Sequence, residues 1–163
     1  MKGFRLPLSC QVFLALVMAT LLASGAAVAG SVVPFRTSIA ITESIKPSTP
    51  PCFLVGDIIG RGTATHLGKV TLASSDWVNP ISETAFSFIS DQLVLTAANG
   101  DQILATYSGI LRTEGTVGAI TGDYQVVGGT GRFSQATGAG AVQGVEDIIT
   151  GQGQVQLTGT ISY

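Results

Sequence analysis

The chain has one histidine, His66, and two cysteines, Cys10 and Cys52, so a metal centre built from several His or Cys ligands is excluded within one chain. It has no Gly-x-Ser-x-Gly elbow and no Gly-Lys-Ser/Thr phosphate loop. Charged residues are sparse at 11%. The lysines and arginines stand singly, with no basic stripe or interleaved aromatics, which argues against nucleic acid as a partner. No window shows the period of an amphipathic helix.

What is present begins with a leader. Lys2 and Arg5 precede the apolar run Val12 to Ala23, and small residues ending in Ala27-Val28-Ala29 follow, the order of a secretory signal. The run is too short to span a bilayer as a helix, which needs about 20 apolar residues. The expectation is a cleaved signal peptide over 1–29 and one exported domain over 30–163, periplasmic or secreted, with no membrane span. Cleavage removes two of the eight basic residues and none of the ten acidic ones, leaving a formal charge of −4. Only Cys52 then remains, either buried or linking two chains, so an internal disulfide is excluded and stability rests on the core.

The remainder reads as strand: short runs rich in Val, Ile and Thr, broken by Gly, Asn-Gly and Pro. The expected segments are 35–42, 53–60, 63–74, 82–89, 92–98, 101–112, 116–127, 141–149 and 153–163. The Pro-rich "SIKPSTPPC" between the first two cannot join a ladder. Asn99-Gly100 predicts a two-residue hairpin turn between antiparallel neighbours. In "GQVQLTGTISY", Val155, Leu157, Ile161 and Tyr163 share one face and polar residues the other. Strand signal to the last residue calls for protected edges, so the fold class is all-β, a closed antiparallel barrel of about eight strands, with a sandwich as its rival.

"VVGGTGRFSQATGAGAVQG" resembles a nucleotide loop, but after Gly129-Thr130-Gly131 the third glycine of a dinucleotide fingerprint is missing, and Gly138, Gly140 and Gly144 oppose a helix. It reads as a tight connection in which Gly128, Gly129, Thr130 and Gly131 make the turn, Phe133 anchors it, and Arg132 pairs with a carboxylate. "VVGGTGRF" followed by "ATGAGAV" resembles the signature of the dirigent and allene oxide cyclase barrel superfamily, and "GRGTATHLGKVT" is similar to small exported bacterial members. The resemblance implies an eight-stranded barrel, commonly trimeric, whose plant members bind hydrophobic reactive intermediates and guide coupling or cyclisation without a cofactor. Where plant dirigent proteins usually carry a basic-acidic pair just before the motif, this chain has Asp123-Tyr124, and no dirigent catalytic residue is matched.

Alternation places His66 with Ala64, Val70 and Leu72, and Asp57 with Phe53, Val55 and Ile59, on faces expected to point inward. Tyr107 shares a face with Ile103 and Ala105. Each is either a buried group satisfied by a neighbour or part of a barrel pocket holding a desolvated acid or base. Apolar residues on both faces of the hairpin, Leu93, Leu95, Leu104 and Ile110 against Val94, Ile103, Ala105, Tyr107 and Leu111, point to a homo-oligomer. Trp77 reads as a loop residue at the barrel mouth, and Glu83 as a strand-end charge. The functional expectation is an exported barrel that binds a hydrophobic small molecule or serves a structural role in the cell envelope, without cofactor or metal. A cofactor-independent cyclase or isomerase is the alternative. An outer-membrane barrel is a further one, weakened by having only three tyrosines and one tryptophan for two aromatic girdles.

Overall fold

The computed structural model describes residues 30–48 and 54–163; the leader expected over 1–29 and Cys52 lie outside the described residues. Eight strands follow in order: β1 (Val33–Pro47), β2 (Leu54–Ala64), β3 (Gly68–Ser82), β4 (Ala85–Ala97), β5 (Gln102–Glu114), β6 (Val117–Gly129), β7 (Thr137–Asp147) and β8 (Gln152–Ser162). Each pairs antiparallel with the next, and β8 closes on β1 to complete a barrel. Closure leaves no open edge, which is how β1 and β8 can be strands to their ends.

The barrel is packed at one end and hollow at the other. The packed end is filled by Phe35, Ile39, Leu95, Ile103 and Ile161, all almost fully buried. The glycine motif closes this end as a floor. Thr130 is clamped to the start of β5 by two bonds, Thr130 N–H donating to the Gln102 carbonyl and Gln102 N–H to Thr130 Oγ1, each 2.9 Å. A short 3-10 turn, Gly131–Phe133, then drives Phe133 into the barrel at 0% exposure, against the Tyr163 ring at 4.8 Å. Gly131 holds φ +57, and a side chain there would collide with Asp101. Arg132 approaches Asp101 at 3.6 Å, donates to the His66 carbonyl and stacks over Phe133, joining three loops.

Several expected details are corrected. The segment 63–74 is broken by a turn at 65–67, so His66 is a turn residue rather than an inward strand residue. The segments 82–89 and 92–98 are one strand, β4, carrying a bulge between Ser90 and Leu93. Ser44 to Pro47, the start of the Pro-rich stretch, does pair, with Leu54 to Asp57 of β2. Trp77 lies within β3 on the outer face, opposite Val55 and Ile89, rather than in a loop. At the Asn99-Gly100 hairpin only Gly100 takes positive φ, while the Asn99 side chain accepts from Asp101 N–H and the loop lengthens to residues 98–101. This shifts the pairing by one residue, and a one-residue shift exchanges faces. Leu93 therefore opposes Ala105 and Leu95 opposes Ile103 on the inside, while Val94 opposes Leu104 on the outside.

Candidate functional site

Toward the other end the barrel interior is a cavity of about 620 Å³, within the size range of small-molecule sites. Its walls are mainly aliphatic and aromatic, including Ile41, Leu72, Val78, Phe86, Phe88 and Leu111. At the rim, Ile45, Ile148 and Ile149 are exposed and also line the cavity, giving it an apolar mouth. The rim turn after β7 is rigidly built. Asp147 Oδ1 accepts from the amides of Ile149 and Thr150 at 3.0 and 2.8 Å, and Gly151 accepts from Glu43 N–H at 2.8 Å.

Four titratable groups enter this apolar space, one from each odd-numbered strand: Glu43 of β1, Asp76 of β3, Tyr107 of β5 and Glu146 of β7. Tyr107 Oη donates to Asp76 Oδ2 at 3.0 Å. Ser74 Oγ lies 3.0 Å from Tyr107 Oη and 2.9 Å from the Gln92 carbonyl, with one proton to give to either. Ser90 occupies the β4 bulge, donating to the Ser75 carbonyl at 2.6 Å and accepting from Gln92 N–H at 3.1 Å. The bulge turns Ser90 inward between β3 and β5, and the hydroxyls of Ser74 and Ser90 stand 3.3 Å apart.

Glu43 and Asp76 converge over Gly56 on the intervening strand. A β-carbon on Gly56 would overlap Glu43 Oε1 and stand 2.6 Å from Asp76 Oδ1, so only glycine leaves room for both carboxyls. Asp76 is 4% exposed and Glu146 7%, yet Asp76 Oδ1 and Glu146 Oε2 have no hydrogen-bond partner. Burial raises the Glu43 pKa to about 8, with the nearby Glu146 charge adding to the effect. Burial likewise lifts Asp76 to about 7, helped by Glu43 and opposed by the hydrogen bond from Tyr107. Glu146 is raised by burial, and Tyr107 by burial and the Asp76 charge. Among the described residues no lysine, arginine or histidine lines the cavity. Chemically the site offers carboxyls that hold protons near neutrality, available as hydrogen-bond donors or general acids.

Of the candidate pocket residues Asp57, His66 and Tyr107, Tyr107 lies in this site and the other two do not. Asp57 points outward, correcting its expected orientation. Its side chain is 44% exposed, ion-paired with Lys46 and accepting from Ser75 Oγ at 3.2 Å, and the Lys46 and Ser75 bonds lower its pKa. His66 sits in its turn at φ +68, its Nε2 3.0 Å from the Pro34 carbonyl and its ring against Tyr163, at the packed end. Gly128, Gly129, Thr130, Gly131, Arg132 and Phe133 form the floor.

Glu43, Asp76 and Glu146 escaped the sequence reading, although the signal for them exists. Glu43 continues the alternation Phe35, Thr37, Ile39, Ile41, one residue beyond the strand end expected at 42. Asp76 continues Val70, Leu72, Ser74 beyond the end expected at 74. Glu146 is in phase with Val142, but the glycines at 138, 140 and 144 obscure which face is inner.

These features define a closed antiparallel β-barrel with a plugged floor and a hollow, acid-bearing apolar end. Among solved structures it is similar to that of the pterocarpan synthase dirigent protein GePTS1, with a TM-score of 0.54, 16% identity, and coverage of 82% of this chain and 89% of that one. The fold is the dirigent-like barrel. No family model and no curated protein matches the chain.

Proposed function

We propose that this protein is an exported barrel that binds a hydrophobic small molecule inside its open end. The observation carrying this reading is the cavity of about 620 Å³, apolar-walled and entered past exposed Ile45, Ile148 and Ile149. A barrel serving only as a structural block gains by filling such a space, because empty interior forfeits dispersion contacts. The secretory order of residues 1–29 supports export. Outer apolar residues Val94, Leu104 and Ile110 support self-association, with the trimer as the form that the resemblance implies. The apolar interior is the reverse of an outer-membrane barrel, whose lumen is polar.

A second reading, a cofactor-independent enzyme, is favoured by one observation: the carboxyls of Glu43 and Asp76 line the cavity where a bound ligand would meet them, and burial raises their pKa values toward those of general acids.

Fluorescence titration with an apolar naphthyl dye separates these roles from a purely structural one. The expected result is saturable one-to-one binding that is lost in a folded Leu72→Trp variant, which fills the cavity. Absence of binding, or equal binding by the filled variant, contradicts the proposal.

A further inference from the structure

The cavity's polar side chains are acidic or neutral. Glu43, Asp76 and Glu146 supply three carboxyls, and Tyr107, Ser44, Ser74, Thr113 and Thr150 supply hydroxyls, with no cationic side chain lining it among the described residues. Two of these carboxyls are more than nine-tenths buried and keep an unpartnered oxygen, Asp76 Oδ1 and Glu146 Oε2. A buried acceptor without a donor costs about 1–3 kcal/mol, more if it is charged. Neighbouring side chains could have supplied that donor, as Tyr107 does for Asp76 Oδ2. The absence of a side chain on Gly56 holds open the point where Glu43 Oε1 and Asp76 Oδ1 converge.

We propose that the ligand is an amphiphilic amine, whose ammonium group donates to Asp76 Oδ1 and to the Glu43 and Glu146 carboxyls while its apolar body lies against the upper wall. An ammonium carries three donors and no acceptor, which matches the two unpartnered oxygens, Asp76 Oδ1 and Glu146 Oε2. It also supplies the positive charge that the cavity lacks, and charge-assisted bonds of this kind are the strong ones. A carboxylate ligand would meet three acids without a counter-charge. A neutral alcohol brings one donor where several acceptors wait.

The groups facing an amine are few enough to fix the pH response. β1, β3, β5 and β7 present Glu43, Asp76, Tyr107 and Glu146, while β2, β4, β6 and β8 line the cavity with Leu54, Ile58, Phe86, Phe88, Ile120, Val155 and similar apolar residues. Tyr124 of β6 is buried deeper. Binding an ammonium displaces protons from the carboxyls, so affinity for the amine falls as pH is lowered, whereas affinity for an alcohol does not follow that course.

This inference rests on the small-molecule reading above, and the test separates the two. Calorimetric titration of the full mature chain with phenylbutylamine, phenylbutanol and phenylbutyrate, in two buffers of different ionisation heat, reads both affinity and proton release. The expected result is a preference for the amine over the alcohol of about tenfold or more, with protons released on binding. Glu146→Gln and Asp76→Asn should each shrink that preference, while Asp57→Asn, on the outer face, should leave it intact. Equal binding of amine and alcohol, or tightest binding of the carboxylate, overturns the amine assignment but keeps the cavity as a ligand site. Binding of none of the three overturns both.

Discussion

The hydroxyl of Tyr107 on β5 donates to Asp76 Oδ2 on β3 at 3.0 Å, reaching across β4, the strand between them. The bulge in β4 makes that reach possible: Ser90 pairs with Tyr107 in register, and the extra residue before Leu93 resets the inward phase. Among the described residues, Tyr107→Phe removes the only hydrogen bond given to Asp76 by another side chain. We expect a stability loss of about 1–3 kcal/mol and an upward shift of the Asp76 titration, with the loss larger above neutrality, where Asp76 is ionised. Urea denaturation at acid and alkaline pH checks it.

The acids also set a pH dependence with a definite sign. Glu43 is raised from 4.5 to about 8 and Asp76 from 3.8 to about 7, so the folded state holds more protons than the unfolded one between these limits. Stability therefore falls as pH rises through that window, by an amount on the order of a few kcal/mol. Asp57 and Asp147, both lowered by hydrogen bonds, act in the opposite sense and lose their contribution only in acid. Chemical denaturation across pH should show greater stability on the mildly acid side than on the alkaline side. A rise in stability toward alkaline pH contradicts the assignment.

Gly56→Ala places a methyl group where Glu43 and Asp76 meet. Overpacking of this kind costs about 1–3 kcal/mol. Thermal melts should show the loss, and ligand affinity should fall with it, because the carboxyls must part.

Phe133→Ala removes the plug of the packed end, a side chain with no exposure and a ring contact to Tyr163. The expected cost is about 3–5 kcal/mol. Arg132→Ala loosens the same floor at its surface and should cost less, about 1 kcal/mol or under, diminishing in salt. Denaturation of the two variants side by side distinguishes core plug from surface clasp.

The barrel was legible in the sequence because closure leaves a periodic trace: β8 alternates cleanly, and Val155, Leu157 and Ile161 are buried as that pattern requires. The glycine motif was legible as a turn because its glycines exclude a helix. The faces of β2 were not. Its inner row is Leu54, Gly56, Ile58, Gly60, Gly62, and glycine carries no hydrophobic signal, whereas its outer row holds Val55 and Ile59, the latter 66% exposed. Apolar counting therefore chose the wrong face and turned Asp57 inward. His66 was misplaced for a different reason: a non-glycine residue at positive φ gives no mark in a continuous run of Thr and Ala. The acids were missed because buried charge at a strand end looks like solvated charge until the strand's true length is known.

The central claim is that an apolar, ligand-sized cavity holds these acids out of water. Its most direct test is carbon-detected NMR titration of the side-chain carboxyls of Glu43 and Asp76 in the ligand-free protein. The structure calls for midpoints near 8 and 7, far above those of exposed Asp57. Midpoints for both in the ordinary carboxylate range, about 4, would mean a water-filled interior and would contradict the account.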